Sequence, residues 1–137
     1  MRSMLLDTGV FVALIDKSER NHERCVILLK EFKGKLFTTE AVITETIYLL
    51  GPSIKAQRTC IDFILKGGAT LIPQSVGSLS RASTLMAKYE DIPMDFADAT
   101  LVSLAEELDV ADILTLDRRG FGVYRIRGKT AFKLWPN

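Results

Sequence analysis

Residues 4–8 read Met-Leu-Leu-Asp-Thr, and residues 113–117 read Ile-Leu-Thr-Leu-Asp. Each stretch is a short, largely apolar run that ends at a carboxylate, Asp7 in the first and Asp117 in the second. Runs of this kind predict strands that are buried on both faces, as in a parallel sheet covered by helices. Ligands of such sheets bind at the carboxyl ends of the strands, where both acids fall. The two stretches therefore predict an α/β fold with a site at one edge of its sheet.

The rest of the chain alternates helical and extended patterns around these two stretches. Strands are predicted at 3–7, 36–38, 70–72 and 113–116, with 123–126 as a further candidate. Helices are predicted at 10–15, 21–32, 40–50, 54–66, 75–89 and 96–108, with Thr39, Ser53 and either Ser75 or Ser78 as N-caps. Strands that alternate with helices in this way favour a mostly parallel sheet covered on both faces.

The composition limits the class of protein. With 137 residues and 47% apolar content, the chain is expected to fold as one domain, residues 1–137. The longest apolar run, Val10 to Ile15, is far shorter than the roughly 20 residues of a membrane span, and no signal-peptide pattern is visible, so a cytoplasmic protein is expected. Cys25 and Cys60 form no Cys-x-x-Cys pair and are expected to be buried, reduced thiols. His22 is the only histidine and is expected to begin a helix.

Two further carboxylates lie on predicted helices that have an apolar face. Asp98 shares a face of the 96–108 helix with Leu101, so its carboxylate points along the buried stripe. Asp95 and Asp98 also fit a capping pair at the start of that helix, and this is compatible with a second role for Asp98. Glu45 lies at the edge of a packed face, a position that equally suits an ordinary surface residue.

Carboxylates that are brought together raise one another's pKa unless a cation neutralises them. The acids whose convergence the sequence predicts are Asp7, Glu45, Asp98 and Asp117. Because no cysteine or histidine accompanies them as a softer ligand, the pattern predicts bound Mg2+ or Mn2+. These ions point to phosphate chemistry.

The net charge of +1 hides an uneven distribution. Six basic residues and no acid follow residue 117, whereas residues 1–117 contain 12 basic and 17 acidic residues. An acidic pocket beside a basic segment suits a protein that holds a polyanion and acts on one of its phosphates. The candidate RNA contacts are Arg118, Arg119, Arg125 and Arg127. The alternative is that these side chains only solubilise a terminal strand.

The four acids lie in short motifs: Leu5-Leu6-Asp7-Thr8, Thr44-Glu45, Asp95-Phe96-Ala97-Asp98-Ala99 and Thr115-Leu116-Asp117-Arg118-Arg119-Gly120-Phe121. In order and spacing, from Met4 to about Arg127, they resemble the acidic motifs of PIN-domain ribonucleases, and in particular the VapC-type toxins of prokaryotic toxin-antitoxin pairs. The resemblance implies a three-layer α/β/α sandwich with a central, mostly parallel sheet, Mg2+ or Mn2+ in the acidic pocket, and endonucleolytic cleavage of RNA. One departure is Gly120, which stands where the family's last motif often has a second acid.

The resemblance also implies roles for the individual acids. Asp7, Glu45 and Asp98 match the three acids that such proteins use most directly for metal, and Asp117 matches a fourth, more variable position, with Thr115 as the hydroxyl residue near it. In the mechanism expected from this match, Asp7, Asp98 and Asp117 hold the metal. Glu45 is expected to complete the metal shell or to orient the water that attacks the phosphodiester. All four acids are therefore candidate catalytic residues. The resemblance leaves open whether the site holds one metal ion or two.

Partners follow from the same resemblance. Proteins of this kind commonly form homodimers and bind a cognate antitoxin, so both partners are expected here. The candidate surfaces are the apolar segments Val10 to Ile15 and Ile47 to Leu50, with Phe32.

Other functions fit the residues less well or stay open. A haloacid-dehalogenase-like phosphatase needs a second acid two residues after the first, where this chain has Gly9. A receiver domain needs an acidic pair before its accepting aspartate and a lysine after a late strand, and neither is present. A PIN nuclease of RNA processing without an antitoxin, and a non-catalytic binding module that uses its metal as a structural staple, remain as alternatives.

Overall fold

Five parallel strands form the central sheet of the computed structural model, which describes residues 2–137. The strands are β1 (Ser3–Leu6), β2 (Lys35–Thr38), β3 (Thr70–Leu71), β4 (Asp112–Leu114), β5 (Arg125–Ile126), β6 (Thr130–Ala131) and β7 (Lys133–Trp135). The helices are α1 (Thr8–Ile15), α2 (His22–Glu31), α3 (Glu40–Leu50), α4 (Ile54–Leu65), α5 (Val76–Lys88), α6 (Phe96–Leu108) and α7 (Arg118–Phe121). The sheet order is β3-β2-β1-β4-β7, with helices flanking it, so the predicted α/β architecture is confirmed.

β1 is the central strand of the sheet. Residues 4–6 are each at most 1% exposed. Leu5 pairs with Phe37 of β2 on one side and with Ile113 of β4 on the other. Since burial of one such apolar side chain is worth roughly 1.5–3 kcal/mol, the position of this strand is strongly determined. Asp7 follows β1 directly and therefore lies at the carboxyl edge of the sheet, at the end of its central strand.

Polar side chains define where four of the helices begin. Thr39, Ser53, Ser75 and Asp95 each accept a hydrogen bond from a backbone N–H in the first turn of α3, α4, α5 and α6 respectively. Such an N-cap satisfies a donor that the helix leaves unpaired and is worth about 1 kcal/mol. The predicted caps are confirmed, and of the two serines considered for α5 the cap is Ser75, which forms a capping box with Ser78.

α6 lies in the interior of the protein. Its residues from Ala97 to Ala105 are all buried, and the helix packs against α5 and α3. A helix that is buried on all sides is normally apolar throughout. Asp98 is nevertheless among these residues, with an exposure of 9%. The predicted position of this acid in the buried part of the helix is confirmed.

The predicted extended segment 123–126 does not add a fifth strand to the sheet. Only Arg125–Ile126 is extended, and it pairs antiparallel with β6 in a separate hairpin. Positive φ angles of 53° at Arg127 and 70° at Gly128 turn the chain back on itself there. The fifth strand of the sheet is instead β7, which aligns Leu134 with Ile113 of β4.

The segment Val10 to Ile15 was expected to offer a surface for a partner, and for residues 10–13 this expectation is wrong, because they are buried. The second candidate segment, Ile47 to Leu50 on α3, does present apolar surface, since Tyr48 is 81% exposed and Leu49 54% exposed. Cys25 and Cys60 are buried free thiols, as predicted. No helix within residues 2–137 is both long and apolar enough to cross a bilayer.

Candidate active site

Asp7 lies between β1 and α1, where it caps the first turn of the helix. Its Oδ1 accepts a hydrogen bond from the Thr8 amide at 2.8 Å, and its Oδ2 accepts one from the Thr115 hydroxyl at 2.7 Å. Burial, together with the charges of Asp117 and Glu45, raises the pKa of Asp7 to about 6 despite these two hydrogen bonds. Asp7 is therefore fixed in position, and its ionised form is disfavoured by burial and by the neighbouring acids.

Asp117 is the N-cap of α7, a one-turn helix that the sequence patterns did not predict. Its Oδ1 accepts a hydrogen bond from the Gly120 amide at 3.0 Å, and its own amide donates to the Thr115 hydroxyl oxygen at 3.0 Å. Because β4 pairs with β1, the acids that follow these two strands lie side by side, as predicted. Thr115 contacts both of them.

Asp98 reaches the same place from α6. Burial, together with the charges of Asp7, Asp95 and Asp117, raises the pKa of Asp98 to about 8. The hydroxyl of Tyr124 lowers it by donating a hydrogen bond to Asp98 Oδ2 at 2.9 Å. A carboxyl with so high a pKa requires a compensating cation to stay ionised at neutral pH.

Glu45 lies on α3 and is half-buried. Partial burial raises the pKa of Glu45, and the nearby Asp95 raises it further, whereas Thr8 lowers it. The Thr8 hydroxyl oxygen is buried and has no well-formed hydrogen bond to any residue from 2 to 137. A polar atom left unpaired next to two acids is a natural contact for a water molecule or a hydrated ion.

The structure thus brings the four predicted acids together. Their charges act on one another, and none of the three ion pairs found among the described residues includes any of the four. Between residues 2 and 137, however, no group of three or more His, Cys, Asp or Glu side chains is arranged to hold a metal ion as it stands. Mg2+ needs only one or two carboxylates and keeps several waters, so an all-oxygen donor set with the unpaired Thr8 hydroxyl fits a hydrated ion. The assignment of these acids as metal ligands remains a prediction.

Tyr124 is a residue of this site that the sequence patterns do not single out. It is 1% exposed, and burial together with the charge of Asp98 raises the pKa of Tyr124, so its hydroxyl keeps its proton and acts as a donor. The only residue whose type relates indirectly to this tyrosine is Gly120. A Cβ at position 120 would lie 2.8 Å from the Tyr124 hydroxyl oxygen, so a glycine leaves room for that hydroxyl.

Arg118 and Arg119 are exposed in α7, directly after Asp117. Arg118 donates one hydrogen bond to the carbonyl of Pro136 at 2.7 Å. Arg119 makes no hydrogen bond or ion pair through its side chain with the part of the chain that the structure describes. Both side chains follow Asp117 directly in the chain and are exposed to solvent.

Arg125 and Arg127 have different surroundings. Arg125 Nη1 donates to three backbone carbonyls of its own loop, at 3.0 to 3.2 Å. Arg127 donates to the carbonyl of Glu106 at 2.6 Å and to Asp109 at 3.2 Å, both near the end of α6. Glu106 lies eight residues, or about 12 Å of helix, beyond Asp98. Arg127 therefore fastens the hairpin to the far end of α6, whereas Arg125 holds its own loop together.

A groove of about 530 Å³ opens beside Glu45. Its walls are mainly apolar and are formed by Ala41, Thr44, Tyr48, Asp95, Phe96 and Ala97. The groove connects the edge of the acidic cluster with solvent between α3 and the start of α6.

Comparison with known proteins agrees with this geometry. A sequence profile of the PIN domain matches residues 4–127. The chain belongs to the PIN domain family. The matched range begins in β1, includes all four acids and ends just after β5. The resemblance that the four motifs indicated is therefore confirmed.

Similar proteins are found along nearly the whole PIN-domain chain. Ribonuclease VapC26 of Mycobacterium tuberculosis is 27% identical over 135 residues, which cover 97% of this chain and 100% of that protein. The crystal structure of M. tuberculosis VapC20, a toxin that cleaves the sarcin-ricin loop, matches with a TM-score of 0.79 and 16% identity over 84% of this chain and 90% of that one. A chain of a toxin-antitoxin complex from Klebsiella pneumoniae matches with a TM-score of 0.67 and 18% identity over 88% and 91%. These structural matches establish the fold.

Proposed function

We propose that this PIN-domain protein is a metal-dependent endoribonuclease and the toxin of a toxin-antitoxin pair. The observation that carries the proposal is the convergence of four carboxylates at the carboxyl edge of the sheet, without a partner among the ion pairs of the described chain. So much negative charge in a buried site calls for a cation, and oxygen ligands suit Mg2+ or Mn2+.

The surroundings of each residue suggest its role in the proposed reaction. Asp7, Asp98 and Asp117 would hold the divalent ion, and Glu45, which is more exposed, would complete the shell or accept a hydrogen bond from the attacking water. A bound ion supplies a Lewis acid that lowers the pKa of water and stabilises charge on the phosphodiester. The guanidinium groups beside Asp117 would hold the RNA backbone without reading its sequence.

The relatives support RNA as the substrate and an antitoxin as the partner. The 27% identical relative that aligns with nearly the whole chain is a ribonuclease, and one structural relative was solved as a toxin-antitoxin complex. A cytoplasmic location and a homodimer agree with such a function and belong to the same proposal.

The test is cleavage of total cellular RNA by the purified chain in Mn2+, with new 5′ ends mapped by sequencing. Asp98→Asn should reduce cleavage about 100-fold or more, because the amide keeps the volume but loses the charge that binds metal. Asp62→Asn changes an exposed acid on α4 and should cleave like the wild type. Cleavage by a folded Asp98→Asn variant, or cleavage that persists in EDTA, would contradict the proposal.

The toxin role has its own test. Expression of the wild-type chain should arrest growth of a bacterial host, and expression of Asp98→Asn should not. Co-expression with the small protein encoded directly upstream of the gene should restore growth. RNA cleavage without growth arrest would favour a processing nuclease instead.

A further inference from the structure

The carboxylate of Asp98 is held at one oxygen only. The Tyr124 hydroxyl donates a hydrogen bond to Oδ2 at 2.9 Å, and the contact is buried. Oδ1 accepts no hydrogen bond from residues 2–137. One oxygen is thus committed to the protein and the other is available to a ligand.

The ring of Tyr124 has little freedom to move. It makes edge-to-face contacts with Tyr89 and Phe121, with ring centroids 5.1 Å apart in both cases. The hydroxyl of Tyr89 in turn accepts a hydrogen bond from the Arg125 amide at 3.0 Å. Because the two ring contacts, which do not involve the Tyr89 hydroxyl, hold the ring of Tyr124, its own hydroxyl presents a donor at a defined point.

Space for this hydroxyl depends on Gly120. A Cβ at that position would lie 2.5 Å from Asp117 Oδ2 and 2.8 Å from the Tyr124 hydroxyl oxygen, closer than real contacts allow. Gly120 has no positive φ, so the requirement is for space rather than for backbone freedom. The absence of a side chain at Gly120 therefore leaves room for the Tyr124 hydroxyl between Asp98 and Asp117.

We propose that Tyr124 is a positioning residue for metal binding: its hydroxyl, admitted by Gly120, fixes one oxygen of Asp98 and leaves the other available to the divalent ion. The inference rests on the proposed function, because it assigns Asp98 to the ion. Groups that orient metal ligands in this way typically change metal affinity 10- to 100-fold when they are removed.

The test is Mn2+ affinity of the full chain without RNA, measured by electron paramagnetic resonance of free Mn2+. Tyr124→Phe removes the hydroxyl but keeps the ring, and it should weaken Mn2+ binding by about 10-fold or more. The matched control is Tyr89→Phe, which removes a hydroxyl from the same aromatic cluster without touching an acid, and it should bind Mn2+ like the wild type. Gly120→Ala, whose Cβ would displace both Asp117 Oδ2 and the Tyr124 hydroxyl, should weaken binding at least as much as Tyr124→Phe. RNA cleavage by Tyr124→Phe should recover as Mn2+ is raised.

Equal Mn2+ affinity in the wild type and a folded Tyr124→Phe variant would overturn the inference, even if the variant were less stable. A wild type that does not bind Mn2+, or an Asp98→Asn variant that binds it equally well, would overturn the proposed function and this inference with it. The two failures are therefore distinguishable.

Discussion

The hydroxyl of Thr115 donates a hydrogen bond to Asp7 Oδ2 across 2.7 Å. The two residues are 108 positions apart in the chain, and they follow the neighbouring strands β4 and β1. The same hydroxyl oxygen accepts a hydrogen bond from the amide of Asp117, and the hydroxyl proton points to Asp7. Thr115 thus orients the side chain of Asp7 and also holds the backbone at Asp117 in place.

Thr115→Val should therefore destabilise the protein more than its small change in volume suggests. The valine leaves the Asp7 oxygen and the Asp117 amide without their buried partner, which costs about 1–3 kcal/mol per unpaired group. Urea unfolding in EDTA measures the loss. Thr46→Val is the matched control, because Thr46 is equally buried and donates only to a backbone carbonyl of its own helix. A loss no larger than that of the control would contradict the prediction.

Divalent metal should raise the melting temperature of the wild type. A ligand that binds only the folded state stabilises it by about 2.7 kcal/mol at 100 times its dissociation constant. Asp98→Asn should abolish most of this rise, whereas Asp62→Asn should keep it. An equal rise in all three proteins would mean that the ion binds outside the acidic cluster.

Without metal, the protein should become less stable as the pH rises from 3.8, the ordinary aspartate value, to about 8, the raised pKa of Asp98. The folded state holds a proton on Asp98 that the unfolded state has lost, so this one carboxyl lowers the free energy of unfolding by at most about 1.4 kcal/mol per pH unit. The groups that face this carboxyl are Asp7, Asp95, Asp117 and Tyr124. Three of them are acids, and all three acids raise its pKa.

Urea unfolding between pH 6 and pH 8 in EDTA tests this dependence. In this range Asp98 dominates, because the raised pKa of Asp7 is about 6. Asp98→Asn should flatten the profile, and saturating Mn2+ should abolish or reverse it, because the ion binds the ionised carboxylates. Metal-free stability that increases with pH over this range would show that burial does not keep Asp98 protonated.

Local sequence patterns were enough to predict the elements that carry the four acids. The 96–108 helix matches α6, and Asp98 lies in its buried stripe because helical periodicity is visible in a single segment. Asp7 and Asp117 converge because parallel strands end at the same edge of a sheet. The first feature is local, and the second needs only that each strand be recognised locally, because the carboxyl ends of parallel strands share one edge.

Particular side-chain contacts between distant residues, and the pairing of very short strands, were not predictable. Tyr124 reaches Asp98 across 26 positions, and no local pattern marks a tyrosine as a hydrogen-bond donor to a particular acid. The strand Lys133–Trp135 has only three residues, too few for an alternating pattern, and it exists because β4 pairs with it. The basic residues after 117 likewise looked equivalent in sequence, although their surroundings differ.

Gly120→Ala should destabilise the protein, whereas Gly77→Ala should not. A Cβ at 120 would meet Asp117 and Tyr124 at 2.5 and 2.8 Å, whereas the nearest atom to a Cβ at 77 is a serine oxygen at 3.8 Å. Overpacking of a buried position typically costs 1 to about 3 kcal/mol, and alanine in an open helical position gains up to about 1 kcal/mol. Thermal melts of both variants in EDTA compare the two effects. Equal melting temperatures would mean that the site relaxes easily around position 120.

The last prediction separates the two pairs of arginines. Arg118→Gln with Arg119→Gln should weaken RNA binding and flatten its dependence on salt by about 0.7 units of log–log slope per lost phosphate contact on single-stranded RNA. The matched pair, Arg125→Gln with Arg127→Gln, removes the same charge from groups that bind backbone carbonyls and Asp109. It should lower the melting temperature and leave the salt slope nearly unchanged.

Affinity for a single-stranded RNA oligonucleotide across a salt series, in Ca2+ to suppress cleavage, measures both slopes. Mn2+ affinity should be the same in both double variants, because the carboxylates are intact. Equal flattening by the two pairs would mean that all four arginines contact RNA, as the sequence alone predicts. An unchanged slope in the first pair would place the RNA path on another face, because charges directly beside Asp117 would then contribute nothing to backbone binding.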